Sequence, residues 1–422
     1  MREYLSKFIL MFILICIGSY LQARQPYHAL VVVDDSSATV SAPNLVDLTR
    51  DLRSTSIELL IPSYTPVTPV SIGINLRGID VITFFPANST TLFITIPQAG
   101  TTTTFTGSTR EESLLLFKDF IRDAGNSHRL LRAYAKYSPI DPIAGNPNSL
   151  MAQMAQADYL TGQLSPFSGC AGKSQPIPHL YQLGAYSGRA FSGGFDTTIV
   201  TIPLRYSYSP NLDWAFILDA PLAYIRNGGA SSIIGSLGFG LRYPVSCKWS
   251  LTPILRAGSG GSLELCTSGT FVSGGLISVY NWNISKFALT MTNYAGGITS
   301  TNLWLTGINF NYRLHNYIFK NGLTLTSCDG FTLCKVPLNL SISFADTYFT
   351  SNKFYINHYD EVGITLIANR YNCLSVGFVY QFGKEDYKGY SVNFGYQFHN
   401  LPLFLCILLN VILYSLLLYV LF

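Results

Sequence analysis

From about residue 183 onward the chain alternates between apolar and polar residues in one segment after another. In YSVNFGYQF, Tyr390, Val392, Phe394, Tyr396 and Phe398 fall on one side of an extended strand, and Ser391, Asn393, Gly395 and Gln397 fall on the other. In 373–382, Leu374, Val376, Phe378, Tyr380 and Phe382 oppose Ser375, Gly377 and Gln381, with Val379 the exception. In 305–313, Thr306, Ile308, Phe310 and Tyr312 oppose Leu305, Gly307, Asn309, Asn311 and Arg313. Gly or Asn/Asp marks the breaks. The predicted strands are 194–208, 214–225, 230–243, 249–257, 263–279, 283–293, 303–313, 319–327, 336–345, 359–369, 373–382 and 389–398. Most approach the ~10 residues of a tilted strand that crosses a bilayer. Lipid offers a backbone no hydrogen bonds, so strands that show it one apolar face must close on themselves. The pattern predicts a mainly β protein in which residues 181–398 form an antiparallel transmembrane β-barrel of about twelve strands.

The preceding residues read differently. Residues 24–107 contain VSIGINL (70–76), IDVITFF (79–85) and TLFITIP (91–97), separated by Arg77-Gly78 and Pro86-Ala87-Asn88-Ser89. This is the pattern of a small β-rich domain. Residues 108–180 form a helical region and linker. Ser108 with Glu111, or Thr109 with Glu112, has capping-box spacing, and Leu114, Phe117 and Ile121 then share a helical face. A second helix is predicted over His128–Tyr137. Pro139, Pro142 and Pro147 break the chain, and Asn148 or Ser149 can cap a third helix, SLMAQMAQADYL. Its small, polar surface suits a polar cavity as well as a domain surface. Residues 161–180 read as linker.

Both ends of the chain are apolar. Residues 1–23 have the form of a cleaved signal peptide: Arg2 and Lys7, an apolar run from Phe8 to Ile17, then Leu21-Gln22-Ala23 before Arg24. The tail, residues 399–422, carries an uncharged run from Leu401 to Phe422. As a helix it would reach about 33 Å, enough to cross a membrane. An added membrane helix, a barrel-capping helix and translated sequence beyond an original stop are the three readings, and the last is preferred.

Composition agrees with export. Charged residues are only 12% of the 422, while aromatics reach 14%. The net charge of +4 is spread along the chain with no basic cluster, which argues against a nucleic-acid partner. The cysteine spacings fit no zinc pattern. Cys328 and Cys334 bracket a short Asp-Gly loop and make the best disulfide pair; free half-buried thiols are the alternative. No grouping nominates catalytic, cofactor-binding or metal-binding residues, and no cofactor is expected. Trp214, Trp249, Trp282 and Trp304 fall near predicted strand ends, where an amphipathic ring suits the membrane interface.

The closing strand, with Tyr390, Val392, Phe394, Tyr396 and Phe398, resembles the terminal strand of bacterial outer-membrane β-barrels. The order of signal peptide, N-terminal domain, helical linker and barrel resembles the autotransporter β-domain superfamily. That resemblance implies the bacterial outer membrane as location and its lipid bilayer as surroundings. It also implies insertion by the barrel assembly machinery, which reads the last strand, and display of residues 24–165 at the surface. The N-terminal region is short and lacks β-helical repeats, and the tail follows the Phe that normally ends such chains. Three functions follow. The barrel anchors and exports or displays its own N-terminal domain; or it is a passive pore for small solutes, with few lumen charges; or, a weaker reading, it is a hydrolase using His358 beside Asp360 and Glu361.

Overall fold

The computed structural model describes residues 24–123, 128–163, 179–211, 214–301, 312–328, 330–333, 336–368 and 374–398. The predicted signal peptide, the tail 399–422 and Trp304 lie outside them. Among the described residues no helix is long and apolar enough to cross a membrane.

The N-terminal domain is a six-stranded antiparallel sheet built from β1 (Tyr27–Val33), β2 (Ser36–Ala42), β3 (Val70–Leu76), β4 (Ile79–Phe85), β5 (Thr91–Ile96) and β6 (Thr101–Thr106), in the order β2-β1-β3-β4-β5-β6. Alternation in β3 and β4 buries Ile72, Ile74, Ile79 and Val81 on one face. That face is covered by helices. Two of them, α1 (Leu45–Asp51) and α2 (Ser54–Leu60), lie within the segment read as β-rich and were not predicted. At seven residues each they are too short for a 3.6-residue period to show. Asn44 caps α1 by accepting from the Asp47 N–H at 2.8 Å. The predicted helices are α3 (Arg110–Asp123) and α4 (His128–Tyr137). Of the two capping-box registers the structure uses the second: the Thr109 hydroxyl accepts from Glu112 N–H at 3.1 Å, and the Glu112 carboxylate accepts from Ser108 N–H at 2.5 Å.

The barrel is closed and has twelve strands. They are β7 (His179–Ser192), β8 (Phe195–Ile202 and Leu204–Asn211), β9 (Trp214–Asp219 and Leu222–Asn227), β10 (Ala230–Pro244), β11 (Trp249–Ser262), β12 (Thr267–Ile284), β13 (Phe287–Thr301) and β14 (His315–Ser327), then β16 (Val336–Ser351), β17 (His358–Ala368), β18 (Leu374–Gly383) and β19 (Lys388–Phe398). A short β15 (Phe331–Leu333) folds back on β16. Pro203 interrupts β8, where its missing N–H cannot serve the ladder. Each strand pairs antiparallel with the next, and β19 pairs with β7 from Lys388↔Phe191 to Phe398↔Tyr181, so no edge is left. Alternation sorts the faces. In β10, Leu237, Phe239, Leu241 and Tyr243 are exposed on the outer wall, while Gly238, Gly240 and Arg242 are buried in the lumen. The same exposed apolar band continues through Leu255, Leu276, Leu323 and Phe378, the wall of a barrel made for lipid.

Three strand expectations change. The first strand is 179–192, which lies ahead of the first predicted strand, 194–208, and mostly within the predicted barrel region. The expected turn at 280–282 is strand, because β12 runs through to Ile284 and turns at Ser285, whose φ is +53°. The expected strand 303–313 falls almost wholly outside the described residues, and β13 pairs directly with β14. Among the described residues, β7 is thus the one strand of the twelve that was overlooked.

The two ends of the barrel differ. The base holds the start of β7, the end of β19 and the turns 245–248 and 285–286. The mouth holds the connections 193–194, 228–229, 263–266, 352–357 and 384–387, and the N-terminal domain sits on it. Tyr27 Oη donates to the Glu264 carbonyl at 3.2 Å, and Arg132 Nη2 donates to the Arg313 carbonyl at 2.6 Å. Leu265 and Ala230 of the barrel are buried in the core of the N-terminal domain.

Candidate functional site in the barrel lumen

The lumen of this barrel holds a helix. α5 (Leu150–Gln163) follows a bend, residues 138–149, that is buried throughout. The bend is held by Leu150 N–H donating to the Pro142 carbonyl at 2.8 Å and Ile356 N–H donating to Gly145 at 2.9 Å. Fourteen residues rise about 21 Å. Near the mouth, Ile143 lies against Gly269; toward the base, Gly162 lies against Ile277 and Arg242. The helix therefore runs from mouth to base, where β7 begins. Its buried residues surround it: Leu150, Met151, Met154, Ala155, Asp158, Tyr159, Thr161 and Gly162. A helix enclosed by a wall needs no single apolar face, which explains the weak periodicity of its sequence. Residues 161–163 belong to this helix and not to the linker.

Two polar clusters grip it from different sides. On one wall Asp158 accepts from Arg256 Nε at 2.6 Å and from Tyr294 Oη at 3.1 Å. Arg256 Nη2 also donates to Asp219 at 2.5 Å, and Asp219 accepts from Arg205 Nε at 2.5 Å. Gly238 leaves the space that the Arg256 guanidinium fills, since a Cβ there would lie 2.6 Å from Nη2. Arg242 Nη2 donates to the carbonyls of Thr161 and Gly162, each at 3.1 Å. These C-terminal carbonyls carry the negative end of the helix dipole, so a cation stabilises them. On the other wall Lys320 pairs with Glu361, donates to Thr347 Oγ1 at 3.0 Å and lies 5.1 Å from the Tyr159 ring centroid. Gln381 and Tyr387 extend this cluster, with Gln381 Nε2 donating to Glu361 and Tyr387 Oη donating to Gln381, both at 2.7 Å. Asp158 and Tyr159 are adjacent on the helix, about 100° apart around its axis, and each faces its own cluster.

A third polar group seals the mouth. Arg77 occupies the left-handed region, φ +56°, in the turn before Gly78, and its guanidinium is buried 3.6 Å over the Tyr134 ring. It lies 3.5 Å from Asp141, which also accepts from Tyr312 Oη at 3.1 Å and Ala144 N–H at 3.1 Å. Burial pushes the Asp141 carboxyl up to about 6, against the opposing pull of Arg77. Burial also raises Tyr312 well above its ordinary value.

The expectation of a lumen with few charges is corrected here. The sequence signal was present as isolated charged residues at inward positions of the strands: Arg205, Asp219, Arg242, Arg256, Lys320 and Glu361. The grouping of His358 with Glu361 is also corrected. Strand alternation sends Glu361 into the lumen and His358 to the outer wall, where its Nε2 lies 2.5 Å from Asp346. In the closing strand Tyr390 faces outward and exposed, while Phe398 is buried, stacked on Tyr181 with ring centroids 6.1 Å apart. Cys328, at the base, is disulfide-bonded, and Cys334 lies outside the described residues. Trp214, Trp249 and Trp282 all lie at the base end of their strands.

No protein family and no curated protein matches this chain. Among solved structures, the β domain of the Bordetella autotransporter BrkA is similar over 53% of this chain and 100% of its own, at 12% identity and a TM-score of 0.41. The translocator domain of the autotransporter NalP from Neisseria meningitidis is similar over 59% and 94%, at 12% identity and a TM-score of 0.44. The KdgM porin is similar over 52% and 99%, at 10% identity and a TM-score of 0.34. Translocator domains and a porin stand side by side in that group.

Proposed function

We propose that this chain is an autotransporter-like protein of the bacterial outer membrane, whose barrel anchors its own N-terminal domain and presents it at the cell surface. One observation carries the reading. The N-terminal domain and the two ends of the barrel lie at opposite ends of the lumen, and α5 connects them through it. In a barrel whose chain ends face the periplasm, the base is periplasmic and the mouth external. The Asp158 and Tyr159 clusters then hold the connecting helix in place after transit and fill the space a solute would use. In this reading the assembly machinery recognises the closing strand from Tyr390 to Phe398.

Cysteine labelling on intact cells tests the arrangement. Ser37 is exposed on the N-terminal domain, and Cys247 is exposed in the 245–248 turn at the base. In a Cys266→Ser background carrying Ser37→Cys, a membrane-impermeant maleimide should label residue 37 on intact cells and Cys247 only after lysis. Labelling of Cys247 with protection of residue 37 would place the N-terminal domain in the periplasm and end the display reading.

A further inference from the structure

On the outer wall near the mouth, β16 and β17 put three metal-ligating side chains together. The ligand atoms of Asp346, His358 and Asp360 all lie within 4.8 Å of one another. Asp346 and Asp360 are direct cross-strand partners, and His358 sits diagonally from Asp346, two positions along β17 from Asp360. Asn321 of β14 is in register with Asp346 and extends the same polar row.

Two features of the surroundings point to a cation. Like charges directly opposite one another on neighbouring strands destabilise a sheet. Among the described residues the direct ion-pair partner of Asp346 is His358, and the Asp360 carboxylate has no hydrogen bond or ion pair. The row also interrupts an apolar wall: exposed Phe319 and Tyr348 lie toward the mouth, and exposed Leu323, Phe344 and Val362 toward the base. Carboxylates on the lipid face of a barrel are unfavourable. We infer that Asp346, His358 and Asp360 form a binding site for one divalent cation of the zinc class, with a position left for water. An imidazole favours zinc, nickel or copper over calcium and magnesium. Three protein ligands with an open fourth position is a known zinc arrangement. The ion would bridge two strands of the wall and neutralise the opposed carboxylates. The site lies outside the lumen and does not depend on which way the protein faces.

Full-length protein without a histidine tag, folded in detergent, is titrated with Zn2+ by isothermal calorimetry. One ion per chain is expected, bound at least about tenfold more weakly by H358Q and by D360N, and equally well by the control E385Q. Zn2+ should raise the Tm of the wild type by mass action, and raise that of D360N less at the same Zn2+ concentration. D360N removes a charge from an apolar wall, so its folding is not at risk. Binding retained undiminished in H358Q and D360N, or absent from folded wild type, overturns the proposal.

Discussion

Asp158→Ala isolates the hold of the barrel on its helix. The carboxylate is buried and receives Arg256 and Tyr294; its loss leaves the buried Arg256 guanidinium with Asp219, which Arg205 already shares. Breaking a buried ion pair from one side costs about 3–5 kcal/mol. If that cost falls on the state with the helix in place, the ratio of helix-in to helix-out shifts by roughly two to nearly four orders of magnitude, at about 1.4 kcal/mol per decade. In planar bilayers the full-length wild type should be almost silent, and D158A should show openings or a raised leak. Asp158→Asn, which keeps an acceptor oxygen, should fall between them. The double variant D158A/R256A should recover part of the loss, because the orphaned cation is gone. A D158A protein with wild-type thermal stability and wild-type silence would show that the network does not hold the helix. A wild type that conducts steadily would refute the occluded lumen itself and favour the pore reading.

Three further outcomes are expected. Gly322→Ala puts a Cβ onto the Tyr159 hydroxyl and 3.0 Å from the Phe344 carbonyl, so thermal melts should show a loss of about 1–3 kcal/mol. Gly258→Ala, which meets the flexible end of Met154, should cost less. Asp141 is raised from 3.8 to about 6, so the folded state favours its protonated form; that contribution is full below pH 4 and lost as pH rises through about 6. Melting at pH 5 and pH 8 should therefore differ less in D141N than in wild type, with acid favouring the wild type. Peptide mapping without reductant should link Cys328 to Cys334; a Cys328 peptide joined to any other cysteine would overturn that pairing.

Strand alternation was legible because it is local: the outward positions of β18 follow directly from reading every second residue, Phe378, Tyr380 and Phe382. α4 was legible for the same reason. β7, HLYQLGAYSGRAFS, was not, because Gly184, Ser187 and Gly188 leave neither of its faces consistently apolar. The lumen clusters were illegible for a different reason. Asp158 meets Arg256 across 98 residues and Tyr294 across 136, and the contacts exist only once the barrel is closed around the helix. A lone inward charge looks like noise along a strand, and its meaning is set by shear and closure.

Leu265 sits in a barrel turn yet is buried in the N-terminal core, and Phe354 and Ile356 of the 352–357 connection are buried inward beneath the bend. The boundary between the two halves is thus drawn through shared packing. A barrel stripped of residues 24–149 would open a greasy rim to water. Such a rim invites self-association, so the cap also keeps neighbouring barrels from sticking to one another. Melting of the intact chain should then be a single cooperative event, with neither half able to come apart while leaving the other native.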